Sequence, residues 1–298
     1  MYTEDMKRAI TKYIPFIDLI SKKYKYPDNI KHLLYVIVPA FVIKYGIKKE
    51  HFILECLDQV PIIITGKEDP KIQALYVSYP YFENGIKTKK AIYLNRYNNI
   101  PFLNLIDNLI HELNHAINSY QNEVVFEENT FYLRTGLTKA IYDKKTLNLL
   151  KRENTYVLEE IINCKQTEVI IDIIKQLKDL NIDDIRIQNT IEAVSGSIDD
   201  NYISPAYFVM KHYCQELLNN KTFLLTLENL RIEGNIDDIE NWFNSIAGDD
   251  SYNLLVNLLY KMMQLQKTKG LFNQIRINNI ASKLVDIGNR FNQNSNLK

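Results

Sequence analysis

Three short segments in the middle of the chain constrain its fold most. Residues 59–66 around VPIIITG, IQALYVSYPY at 72–81 and KAIYLNR at 90–96 are rich in β-branched and aromatic residues. Gly, Pro, Asn and Asp bound them. Such runs read as strands, and Asn84-Gly85 between the last two is a hairpin turn signal. On either side the pattern has helical spacing. Ile10, Ile14, Ile17 and Ile20 make one stripe, and LLYVIVPAFVI from Leu33 to Ile43 continues the apolar content. That run holds a proline and is too short to span a membrane, but suits a buried core helix. Beyond Asn99 helical spacing returns, with expected helices at 101–119, 136–150, 154–180, 184–195, 203–219, 235–247, 250–268 and 270–291. Gly136, Gly234, Gly248 and Gly270 fall near these boundaries. The fold class expected is therefore α+β and mostly helical, with a small sheet ahead of the helix at 101–119. Three parts follow in order: an N-terminal helical segment at 1–57, a core at 58–219 and a C-terminal helical segment at 220–298, or all of them as one domain.

Charge narrows the partners. Lys and Arg number 36, as do Asp and Glu, so neither nucleic acid nor an acidic membrane is expected as the main partner. The N-terminus carries acidic residues and no unbroken apolar stretch, unlike a signal peptide. Three widely spaced cysteines, Cys56, Cys164 and Cys214, imply no disulfide framework, and a cytoplasmic location is expected.

The segment at 101–119 carries the chemistry. Pro101 suits a first helical turn, and Leu103, Ile106, Ile110, Leu113 and Ile117 form an apolar stripe. Within LIHELNHAIN, His111 and His115 stand four residues apart, their Cβ atoms about 5–6 Å apart on a helix. Two imidazoles so placed can meet one metal ion at Zn–N distances of about 2.0–2.1 Å. Glu112 leaves the same side of the helix, within reach of a water on that metal. This is the logic of His-Glu-x-x-His: two ligands and a base. The competing reading is a solvated polar face that happens to carry two histidines.

With three strands followed by this helix, residues from about 60 to 215 resemble the zincin superfamily of zinc metallopeptidases, in which a short twisted sheet precedes the motif helix. The metzincin branch is excluded, because Asn118 and Gln121 stand where it requires Gly and His. The gluzincin branch takes its third ligand from a glutamate on a later helix. TYVLEEIINCKQTEVII at 155–171 looks like that helix, and Leu-Glu-Glu followed by Thr167 makes Glu160 the expected ligand, with Glu159 the alternative. RTGL at 134–137 also resembles the corresponding stretch of such proteins. The resemblance further implies a downstream Tyr or His for the oxyanion, here Tyr202 or His212, and an extended substrate along the strand at 74–81. The expected activity is zinc-dependent hydrolysis of a peptide or protein substrate. The rivals are a zinc-binding regulatory protein without turnover, a hydrolase of non-peptide amides, and a plain helical interaction protein. No oligomeric state follows from the sequence.

Overall fold

A computed structural model describes residues 2–65, 74–95, 102–121, 123–179, 182, 184–196, 210–212, 214–266 and 271–295. These form a mostly helical α+β chain with two small sheets. The chain divides into two compact units, Met1–Ile117 with Gln166–Tyr202, and Asn118–Lys165 with Ile203–Lys298.

The first unit opens with three helices, α1 (Tyr2–Tyr24), α2 (Asp28–Tyr45) and α3 (Glu50–Gln59). The apolar run expected as a core helix is the centre of α2, where every residue from Leu33 to Val42 is buried. Tyr13 joins Ile10, Ile17 and Ile20 in the buried stripe of α1. Among the described residues, no single helix is long and apolar enough to cross a membrane.

The expected strands follow as β1 (Ile62–Thr65), β2 (Ala74–Phe82) and β3 (Ile86–Asn95). Their spatial order is β1-β3-β2, with β3 parallel to β1 and antiparallel to β2. Asn84 and Gly85 both take positive φ, 53° and 123°, as the tight turn requires. The turn is so short that β3 starts at Ile86 rather than near Lys90. Residues read as connection are strand. Pro80 lies in β2, at the end of the strand order, where a missing N–H costs the ladder least. Next comes α4 (Phe102–Ser119), and α6 (Ile185–Gly196), also in this unit, packs on α2.

In the second unit the expected helix at 136–150 is absent. Residues 124–152 form an antiparallel sheet of β4 (Val124–Phe126), β5 (Thr130–Thr135), β6 (Thr138–Asp143) and β7 (Leu149–Arg152). Thr135 pairs with Thr138, so Gly136 sits in a two-residue hairpin at φ +56°, not at a helix boundary. The apolar spacing of Leu137, Ala140 and Ile141 imitates a helix, but pairing along β5 to β7 satisfies the backbone instead. After the sheet, α5 (Tyr156–Gln176) begins. The C-terminal region supplies α7 (Gln215–Asn219), α8 (Lys221–Glu233), α9 (Asp238–Ala247), α10 (Ser251–Gln266) and α11 (Leu271–Ser295). The segment expected as one helix at 203–219 is described only at 210–212 and from Cys214 on, with α7 its last turn. Helix α8 was not among the expected spans. Asn220 caps its start, accepting from Phe223 N at 2.9 Å, and Gly234 ends it at φ 76°. Phe223, Phe243 and Phe291 centre this core, with the Phe243 and Phe291 rings stacked 5.0 Å apart. Cys56, Cys164 and Cys214 are buried free thiols, and burial raises the Cys214 thiol to about 12, away from reactive thiolate.

Candidate metal centre

The apolar stripe of α4 is buried as its spacing requires, through Leu105, Ile106, Leu109, Ile110, Leu113 and Ile117. Its polar side is buried as well. Asn108, Glu112, Asn114, His115 and Asn118 are each at most 8% exposed. This is no solvated face. Polar side chains taken out of water need partners or an ion, and most of those on α4 have visible ones.

Asn114 accepts a hydrogen bond from Tyr45 Oη at 2.5 Å and donates through Nδ2 to Gln166 Oε1 at 3.0 Å. That fastens α4 to the end of α2 and to α5 within the first unit. Glu112 Oε2 accepts from the main-chain N–H of Tyr76 in β2 at 2.6 Å. The strand therefore sets the position of the carboxylate following the first histidine. Asp107, one turn before His111, is largely buried. Burial lifts its carboxyl to about 6, Glu168 adds to the rise, and His111 opposes it.

The two histidines face each other. Their rings meet edge-on with centroids 4.8 Å apart, and the Nε2 atoms are 3.2 Å apart. Two nitrogens bound tetrahedrally to zinc at about 2.05 Å would be separated by about 3.3 Å. One ligand atom each from His111, His115 and Glu160 lie within 4.8 Å of one another. His115 is buried, and His111 and Glu160 are partly exposed. Two imidazoles and one carboxylate are a donor set that suits zinc, and the group could hold a metal ion.

Glu159, the alternative ligand, is committed elsewhere. Only 2% exposed, it forms an ion pair with Arg231 of α8 and accepts from Leu137 N at 2.8 Å. Sequence reasoning missed this lock. Its one signal was the RTGL stretch, since Arg231 lies 72 residues further on.

Tyr202 lies outside the described residues. His212 ends the short helical stretch 210–212 and is exposed, and it is not part of the converging group. Comparison with protein-family models, with curated proteins and with solved structures returns no match.

Proposed function

We propose that the chain is a zinc-dependent peptidase of the gluzincin kind, with His111, His115 and Glu160 as ligands and Glu112 as general base. One observation carries the reading. Three donors of the chemistry zinc prefers converge from two helices, beside a carboxylate that is not one of them. When bound, zinc would supply a Lewis acid for the scissile carbonyl and lower the pKa of a water toward about 7.

The protein's own groups do the rest. His111 and His115 present their Nε2 atoms toward a common point because each ring is held on buried α4. Glu112 takes the proton of the attacking water on its carboxylate and returns it to the leaving amine. The N–H of Tyr76 engages Oε2, which keeps the side chain from swinging away and would leave Oε1 for the reacting water. The substrate would run along β2, last in the strand order, as extended peptides add to sheet edges. A Tyr202 or His212 side chain would meet the oxyanion.

Purified protein should carry about one zinc per chain, and His111→Ala or His115→Ala should lose nearly all of it. Proteome-wide cleavage profiling of the zinc-loaded protein, with Glu112→Gln as control, then identifies the peptides cut. Full metal content in both histidine variants would remove the metal centre. A zinc-loaded protein that cuts no more than the Glu112→Gln control would leave a metal-binding protein without peptidase activity.

A further inference from the structure

We propose that Arg134, Glu159 and Arg231 form a positioning clamp that sets the rotation of α5 and thereby the direction in which Glu160 points. The inference rests on the metal-site reading above and adds residues that touch neither metal nor substrate.

All three side chains are buried, Arg134 and Arg231 completely. Arg134 binds main chain. Its Nη1 donates to the carbonyls of Asn118 at 2.7 Å, Gly136 at 2.8 Å and Arg231 at 2.9 Å, and its Nη2 donates to that of Gln121. Asn118 is in the last turn of α4, where carbonyls lack helical partners. The guanidinium thus ties the end of the histidine helix to the backbone of Arg231 in α8. The side chain of Arg231 then reaches α5 at two points one turn apart, Glu159 Oε1 and, at 3.4 Å, Asn163 Oδ1. Contacts at positions i and i+4 grip one face of a helix and oppose rotation about its axis. Because Glu159 and Glu160 are adjacent, they point about 100° apart. Holding the first aims the second.

Gly136 closes the arrangement. Its N–H donates to Ser119 Oγ, on the last residue of α4, at 2.9 Å, and a Cβ on it would fall on the Glu159 carboxylate. The β5–β6 hairpin can therefore enter this space only with glycine at its tip.

Stability alone does not explain the charges. Buried ion pairs are often no more stabilising than apolar residues of the same volume. What they add is direction: a guanidinium fork fixes angles that apolar packing leaves loose.

The test measures zinc affinity by chelator competition in the full-length wild type, Glu160→Gln, Glu159→Gln and Arg231→Lys. Folding is checked by circular dichroism of each metal-free protein. Glu159→Gln and Arg231→Lys should fold and bind zinc about 10–100-fold more weakly than wild type. Their cobalt-loaded visible spectra should shift in the direction of the Glu160→Gln spectrum. Arg231→Lys keeps the buried charge balance, and it carries the comparison if Glu159→Gln does not fold. Folded variants with wild-type affinity and spectrum would overturn the clamp while leaving the metal centre standing. A wild type that binds no zinc would remove both.

Discussion

Helices α4 and α5 each carry proposed ligands of the metal centre, but their positions are set in different ways. On α4 the chemistry is local. His111, Glu112 and His115 lie within one helical turn and a residue, and any helix at 102–119 puts both rings on one side. On α5 the ligand is set from a distance. The proposed role of Glu160 needs one particular rotation of α5, which the proposed clamp through Arg231, 72 residues from Glu159, would set. A local motif tolerates changes in its surroundings, whereas a remote one fails when any link in its chain is cut. Variants on the two helices should therefore fail differently.

Metal binding should separate them most. His115→Ala removes one of two donors on the same turn and should empty the site. Glu160→Gln should lose zinc during dialysis against a weak chelator, because two histidines alone make an incomplete site. Glu159→Gln should keep zinc under the same dialysis despite the same change in net charge. If Glu159→Gln empties the site and Glu160→Gln does not, the roles of the two carboxylates are reversed. Next in size is turnover. Glu112→Gln should leave zinc content unchanged and lower peptide hydrolysis by about 10²–10⁴-fold, and near-normal turnover would take Glu112 out of the mechanism.

The same contrast explains what was legible in the sequence. The helix 102–119, the three strands before it and the His111–Glu112–His115 spacing each follow from periodicity over a few turns or a few residues. The site pairing of Glu160 came from resemblance, and the partly exposed placement of its side chain agrees with a ligand. The hairpin at 130–143 was hidden because Leu137, Ala140 and Ile141 have helix-like spacing, and only pairing between strands decides otherwise. Arg134 stands out only as part of RTGL and Arg231 looks like an ordinary surface cation in sequence, yet both are fully buried. Nothing nearby announces a partner that sits on another helix.

Stability should report the remote side of the comparison. Arg231→Met leaves the Glu159 carboxylate buried without its cation and should cost about 3–5 kcal/mol in metal-free protein. Adding Glu159→Gln to Arg231→Met should recover much of that loss, since the stranded charge is then gone. Chemical denaturation of the single and double variants measures both. A double variant no more stable than Arg231→Met would mean that the guanidinium acts mainly through its other contacts, not through the carboxylate.

The smallest effect belongs to Asp107, on the local side. Its carboxyl titrates at about 6 in the folded protein against an ordinary 3.8, mainly because burial disfavours the charged form. The folded chain therefore holds this proton through a pH range in which the unfolded chain has released it. Between about pH 4 and pH 6 the contribution of Asp107 to stability therefore falls as pH rises, and above that range its whole penalty is in place. From the size of the shift the penalty is on the order of 2–3 kcal/mol. Asp107→Asn removes it, so the metal-free variant should be more stable than wild type at pH 7.5 and no more stable at pH 3.5. A bound cation close to His111 would favour the ionised carboxylate and pull its pKa back down. The gain from Asp107→Asn should then shrink when zinc is added. Denaturation at both pH values, with and without zinc, checks all three statements. An equal gain at pH 3.5 and 7.5 would show that the side chain stabilises through packing and not through its charge.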